Sequence, residues 1–354
     1  MISVIVPTCN RAGYLSKALT SFRAQELDPN EYEVLVVDNG SKDNTREVSL
    51  KASEKFPQNR LLYLWEPIPG LLSGRHRGAM EASGDVLVFA DDDIEADSKW
   101  LKAINETFQD RAVHIVGGRN LPNYESDPPE WLALLWDKDE RGKWCIYLSL
   151  LDFGEQPCEI HPNFVWGLNF AIRKRTLFEL GGFHPDCIPE HLQRFQGDGE
   201  TGLTSNAAER GYKAVYQPHA LVYHAVPAER MTIEYMERRQ FYQGICDSFT
   251  EIRNNKGIST ERGQREKKHL IRGVLSRTLH YPQVWRERLF GGQRGDESEG
   301  IFREDESDIF GEIRRRMRLA YCEGYRFHQD EVRSDPLLLE WVLKHDFFDY
   351  RLPQ

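Results

Sequence analysis

Three consecutive acids, Asp91-Asp92-Asp93, directly follow the apolar run Val86–Ala90. Carboxylates crowded at the end of a buried strand repel one another unless a cation or basic side chains offset their charge. Hard divalent ions such as Mg2+ and Mn2+ accept one or two carboxylates together with phosphate oxygens. The cluster therefore reads either as a metal site for a phosphate-bearing ligand or as a solvated strand-to-loop corner, its acids facing the surface. Asp38 ends a second apolar run, Val34–Val37, and precedes Asn39-Gly40-Ser41. It is suited to holding that turn or to accepting a hydrogen bond from the base or ribose of a nucleotide. His224 follows Leu221–Tyr223, and a lone histidine beside a strand is ordinarily a hydrogen-bonded core residue. Arg230 and the Arg238-Arg239 pair could meet phosphates or simply cover a helix.

These residues need elements to hold them. Ile2–Val6, rich in β-branched residues, has the pattern of a parallel strand buried on both faces, and Pro7 stops it. Leu15, Ala18, Leu19 and Phe22 recur at helical spacing. Strands are expected at Val34–Val37, Arg60–Leu64, Asp85–Ala90 and Val113–Val116. Helical stretches fall around Ala79 and Ala82 and along Trp100, Leu101, Ile104 and Phe108. Strands alternating with helices predict an α/β domain with a mostly parallel central sheet flanked by helices. Ligands of such sheets sit beyond the carboxyl ends of the strands, where Pro7-Thr8, Asp38 and Asp91-Asp92-Asp93 lie. Residues 118–226 read as more irregular, loop-forming sequence with Trp, Pro and Gly clusters. From about Pro227 the chain is expected to be helical and charged.

Several segments together resemble the inverting family-2 glycosyltransferases, which have the GT-A nucleotide-sugar-binding fold. They are Val4-Ile5-Val6-Pro7-Thr8-Cys9-Asn10-Arg11, Val36-Val37-Asp38-Asn39-Gly40-Ser41-Lys42-Asp43 and Gly70-Leu71-Leu72-Ser73-Gly74-Arg75-His76-Arg77-Gly78. Gly84–Asp93, which looks like that family's D-x-D segment, Gly167–Arg173 and Gly181-Gly182-Phe183 complete the set. The resemblance covers roughly the first 235 residues in the expected order. It implies a GT-A domain over 1–235 followed by a charged helical C-terminal extension over 236–354. It also implies that Pro7, Thr8, Asn10, Arg11 and Asp38 line the nucleoside pocket and that Arg75 contacts the nucleotide half of the donor. Asp91 and Asp93 match the two acids of D-x-D, Asp93 as direct metal ligand and Asp91 nearer the ribose, with Asp92 in the variable middle position. His224 becomes a candidate partner of the metal or diphosphate, and Trp166 and Asn169 are expected near the sugar or acceptor, although Trp166 equally suits a core.

The family's catalytic base comes from an acidic pair that opens a helix after the Gly-Gly-Phe turn. Here the region reads Gln196-Gly197-Asp198-Gly199-Glu200-Thr201-Gly202-Leu203. Alignment on Thr201-Gly202-Leu203 puts Glu200 on the base and leaves Gly199 where the resemblance implies a second acid. Asp198 is the rival, although it also suits an N-cap. The implied activity is transfer of a sugar from a UDP-, GDP- or dTDP-sugar to an acceptor hydroxyl, saccharide or lipid-linked, with inversion and help from Mn2+ or Mg2+. The alternative is a non-catalytic nucleotide-sugar-binding or scaffold protein. A dinucleotide-dependent oxidoreductase is disfavoured because Pro7-Thr8-Cys9-Asn10, not a glycine-rich turn, follows the first strand.

Across 354 residues the net charge is −10, which argues against nucleic acid as a partner. Six scattered cysteines without a C-x-x-C pair read as reduced thiols. With no basic segment before the first strand and no long apolar run, the expected location is cytoplasmic, with peripheral contact at the inner membrane face. That contact rests on residues 253–294, which carry eleven Lys/Arg against three Asp/Glu and interleave Trp285, Leu289 and Phe290. The segment suits either an anionic membrane surface or pairing with the acidic stretch Asp296–Asp308.

Overall fold

The computed structural model describes residues 1–57, 60–258 and 309–348. The basic segment proposed to meet a membrane lies almost entirely outside the described residues, as do Trp285, Leu289, Phe290 and Asp296–Asp308. The chain forms two compact units. The first comprises Met1–Met231 and takes back the chain from His345; the second is Thr232–Lys344.

The first unit is built on one 12-stranded sheet. Its strands are β1 (Ile2–Thr8), β2 (Tyr32–Asp38), β3 (Leu61–Trp65), β4 (Val86–Ala90), β5 (Ile94–Ala96) and β6 (Val113–Tyr124), then the short β7 (Asp137–Lys138), β8 (Lys143–Cys145), β9 (Leu150–Asp152) and β10 (Cys158–Ile160), and finally β11 (Asn169–Arg173) and β12 (Lys213–Val226). The order β3-β2-β1-β4 is parallel throughout. β11 then enters antiparallel between β4 and β6, so the sheet is parallel through its first half and mixed beyond.

Helices α1 (Ala12–Arg23), α2 (Thr45–Ser53), α3 (Leu71–Glu81) and α4 (Trp100–Thr107) alternate with the early strands; periodicity predicts α1, α3 and α4, whereas α2 buries only Thr45 and Ser49 and has no apolar stripe to announce it. Val4, Ile5, Val6, Val34–Val37 and Leu87–Ala90 are fully buried. Each aliphatic side chain so covered contributes about 1.5–3 kcal/mol, so the strands richest in such residues form the centre of the sheet.

The expectation of irregular chain over 118–226 is corrected. β6 and β12 run in parallel for most of their length, with a register shift between Gln217 and Val222. Pro122 and Pro218 interrupt both strands and mask their period-2 pattern. Two further helices, α5 (Lys174–Glu179) and α6 (Glu200–Glu209), complete this unit's regular structure.

The second unit holds α7 (Ile233–Asn255), α8 (Ile309–Ser334) and α9 (Pro336–Leu343). Thr232 caps α7 by accepting from the Tyr235 amide, and Asp335 caps α9 by accepting from Leu337 and Leu338. Arg316 pairs with Glu237, and Ser248 hydrogen-bonds His328. Partners thus advance together along both helices, so α7 and α8 run parallel. Burial lowers the His328 imidazole to about 4, which suits its place between helices. No helix among the described residues is long and apolar enough to cross a membrane.

Candidate active site

β1 and β4 are neighbours, and the acidic cluster at the end of β4 meets the loop that follows β1. The Thr8 hydroxyl lies 2.6 Å from Asp92 Oδ2, and Arg11 reaches Asp92 Oδ1 and Asp93 Oδ2, both at 2.8 Å. The three acids do not face the surface as solvated corner residues would. Asp92 is 3% and Asp93 4% exposed; only Asp91, whose side chain is 34% exposed, opens outward. Burial pushes the Asp92 carboxyl up to about 7, with Arg11 opposing and Asp93 adding to the effect. Asp93 behaves oppositely. Burial disfavours its charge, but Arg230 and Arg11, both hydrogen-bonded to it, outweigh burial and hold its carboxyl far below the usual range.

His224 comes to Asp93 through strand pairing. β5 follows the acidic cluster and pairs antiparallel with β12, placing His224 opposite Ile94, and the Ala225 amide donates to the Asp93 carbonyl. His224 Nδ1 lies 2.9 Å from the Leu148 carbonyl oxygen, which can only accept, so Nδ1 carries the proton. The Nε2 lone pair then accepts from Arg230 at 2.7 Å and sits 3.5 Å from Asp93 Oδ1. That Oδ1 is buried without a hydrogen-bond partner. With Arg230 turned away from Nε2, a carboxylate oxygen and an imidazole lone pair across this short gap would be donors for Mn2+. A backbone acceptor fixing the far nitrogen is the usual support of a metal-binding histidine.

Asp91 does not join this pair. Its nearest cation is Arg75, 3.9 Å away, and no group of three His, Cys, Asp or Glu among the described residues is arranged for a metal. Asp93 and His224 are the residues that would hold a metal ion here.

Behind Asp91, α3 carries Arg75, 2% exposed, with its guanidinium 4.9 Å from the Phe183 ring centre. Arg75 Nη1 lies 3.4 Å from Glu200 Oε2, so one guanidinium links the acidic cluster to the first residue of α6. Burial works against its charge, but Glu200, Asp91 and Asp186 more than offset that and keep it firmly protonated. Glu200 Oε1 also accepts from the Gly167 amide at 3.1 Å, and the side chain is 24% exposed. Asp198 is placed differently. It is 6% exposed and its carboxylate meets His184 Nδ1 at 2.6 Å. The expectation of Asp198 as N-cap is corrected: Gly199 occupies that position, and no side chain caps α6.

Around the presumptive nucleoside pocket, Asp38 is buried. Its Oδ1 accepts from the Ser41 amide and its Oδ2 from the Tyr63 hydroxyl, so it holds the turn after β2. Asn10, exposed with φ +56°, joins the two loops by accepting from the Lys42 amide through Oδ1. Pro7 is buried within β1. The assignment of Asn169 to the sugar is corrected. Its Oδ1 accepts from the Trp100 indole, and its Nδ2 donates to Asn120 Oδ1 and the Ala220 carbonyl, so it organises the core. Trp166 is likewise 7% exposed, its indole donating to the Asn163 carbonyl.

Two residues of this site had little or no signal in the sequence. Arg230 was equally readable as helix decoration, yet it donates to both Asp93, at 2.6 Å, and His224. Asp186 stands on the loop between the Gly-Gly-Phe turn and α6, where no periodicity or motif marks it.

This chain is similar to known glycosyltransferases. Residues 3–175 match the family model for glycosyl transferase family 2. Glycosyltransferase AglE of Haloferax volcanii is 34% identical over 61% of this chain and 64% of its own length. The glucosyl-dolichyl phosphate glucuronosyltransferase of the same organism is 24% identical over 71% and 77%. The chain thus spans just under two thirds of the first relative and about three quarters of the second. The mannosyltransferase PcManGT from Pyrobaculum calidifontis, solved with GDP-Man and Mn2+, superposes with a TM-score of 0.50. It is 22% identical, over 69% of this chain and 61% of that one. The fold is the one the sequence resemblance implied.

Proposed function

We propose that this chain is a family-2 glycosyltransferase that moves a sugar from a nucleotide-sugar donor to an acceptor hydroxyl in glycoconjugate synthesis, with inversion at the anomeric carbon. The observation that carries this reading is the line Asp93–Asp91–Arg75–Glu200. The facing Asp93 and His224 lie at one end, the partly exposed Glu200 carboxylate at the other, and a buried guanidinium between Asp91 and Glu200. The diphosphate of the donor belongs at the Asp93 end. There a bound Mn2+ or Mg2+ would act as Lewis acid for the departing nucleoside diphosphate, and Arg11 and Arg230 add positive charge where negative charge develops. Glu200 takes the proton of the acceptor hydroxyl as its oxygen bonds to the anomeric carbon and the bond to the diphosphate breaks. Glu200 is preferred to Asp198 as base because its side chain is partly open to solvent, whereas Asp198 is buried against His184.

One observation favours a second reading, that of a catalytically silent nucleotide-sugar binder. Asp93 is already paired with Arg11 and Arg230, so the acid that would hold a metal has cations of its own. Incubation with a panel of UDP-, GDP- and dTDP-sugars, with and without Mn2+, separates the two. Metal-dependent release of nucleoside diphosphate, accelerated by a saccharide or lipid-linked acceptor, supports the enzyme. Donor binding without release from any member of the panel overturns it.

A further inference from the structure

Gly199, the residue that stands where the resemblance implies a second acid beside Glu200, has φ +56° and ψ −123°. An ideal Cβ on it would lie 2.8 Å from Asp186 Oδ2 and 3.0 Å from Asp186 Cγ, closer than such contacts allow. The space for a side chain at 199 is filled by a carboxylate from another loop. That loop is fastened to Gln196–Gly199: the His184 amide donates to the Gly199 carbonyl and the Gly197 amide to the Pro185 carbonyl. Asp186 Oδ1 accepts from Gln196 Nε2 at 2.9 Å and from the Cys187 amide at 2.8 Å, which fixes the carboxylate's direction. The Asp186 carbonyl accepts from the Leu71 amide at the start of α3, the helix that bears Arg75. Asp186 therefore joins the helix carrying Arg75 to the turn carrying Glu200.

Resting on the glycosyltransferase reading, we propose that Asp186 is a positioning residue for the transfer step. Its carboxylate occupies the place left open by Gly199, the neighbour of Glu200 in sequence, so that a second negative charge stands beside the base that Arg75 pairs with. The charged groups around Asp186 are Glu200 and Arg75, with Asp91 on the far side of Arg75, the Asp198–His184 pair on the adjoining turn, and the Cys187 thiol next in sequence. Burial raises the Asp186 carboxyl, Glu200 adds to the rise, and Arg75 opposes it. A second carboxylate standing beside Glu200 leaves an unbalanced negative charge, which favours taking up a proton. Proton uptake is what the acceptor hydroxyl requires of this site.

The test has an arm that needs no turnover. In the full chain labelled with 13C at aspartate carboxyls, the Asp186 resonance is identified by its loss in Asp186→Asn, or in Asp186→Glu should the first variant not fold. Its titration midpoint is expected to fall in Glu200→Gln. An unmoved midpoint overturns the carboxylate-pair arrangement whether or not any donor is consumed. In the kinetic arm, Asp186→Asn is expected to lower kcat about tenfold, short of the 10²–10⁴-fold for loss of a base, with donor KM unchanged and the acidic limb of the pH profile displaced downward. Asp186→Glu, which keeps the charge, recovers much of that kcat. Equal losses in both variants, or a rise in donor KM alone, overturn the role. A shifted midpoint in a protein that releases no nucleoside diphosphate from any donor leaves the carboxylate pair standing and removes the enzymatic reading instead.

Discussion

At the scale of single residues, the acidic cluster divides into three environments that the bare run Asp91-Asp92-Asp93 could not reveal. Asp93 is the metal candidate, and because it is buried between two arginines its removal is not innocuous. Asp93→Asn, which keeps the shape, is expected to abolish Mn2+-dependent donor binding and reduce turnover at least a hundredfold. Loss of the buried ion pairs also costs stability, by about 3–5 kcal/mol. Thermal shift with and without Mn2+ and nucleoside diphosphate checks both effects, and metal-dependent binding that survives would move the site elsewhere. Asp92 offers a pH signature. In the folded chain it keeps its proton up to about 7, against 3.8 for an ordinary aspartate, so between those values the folded state binds more protons than the unfolded. Its contribution to stability must then decline as pH rises through that window. Asp92→Asn cannot ionise, and in chelator its Tm should gain on the parent as pH goes from 5 to 8; a constant difference would contradict the burial argument. Glu200→Gln should cut kcat by about 10²–10⁴-fold with donor affinity kept, measured by nucleoside diphosphate release alongside binding. Glu200 was legible through the motif around it. Asp186 was not, because what identifies it is the missing side chain of Gly199, thirteen positions further along the chain.

At the scale of elements, β1, β2 and β4 could be read from hydrophobic pattern alone, since these strands are buried on both faces and read as unbroken apolar runs. The long β12 could not, because Pro218 and the register shift beside it break the period. Yet β12 delivers His224 to Asp93, so the least legible strand positions one of the two candidate metal donors. Its closeness to β6 depends on Gly118, where a Cβ would lie 1.8 Å from the Ala220 carbonyl oxygen and 2.2 Å from Asn169 Nδ2. Those atoms belong to backbone and to a saturated hydrogen-bond network, so neither can yield cheaply. Gly118→Ala is expected to destabilise the first unit by about 1–3 kcal/mol, as overpacking does, and to weaken metal binding through displacement of β12. Chemical denaturation and Mn2+ titration would show the two effects together; a stable variant with unaltered metal affinity would mean that the strands can part without consequence.

At the scale of the molecule, the first unit is completed by residues far along the chain. Phe347 is fully buried there, and its carbonyl accepts from His76 Nδ1 at 3.1 Å, while His76 Nε2 accepts from the Phe183 amide at 2.9 Å. Phe348 stacks on the His76 ring with centroids 4.1 Å apart. Burial lowers His76 to about 3, consistent with a neutral ring bonded at both nitrogens. Phe347→Ala should cost about 3–5 kcal/mol, seen as a lower Tm, and an unaffected Tm would show that this return segment is not part of the core. The return also imposes a timetable. A ribosome adding about 5–20 residues each second needs on the order of ten seconds to travel from Met231 to His345. Through that interval the nascent sheet is assembled, but the seat for Phe347 is empty and one imidazole N–H has only water to bond. Closure of the first unit therefore waits on the synthesis of His345–Phe348, and a chain cut short anywhere before them still displays an open aromatic socket of the sort that chaperones and proteases grip.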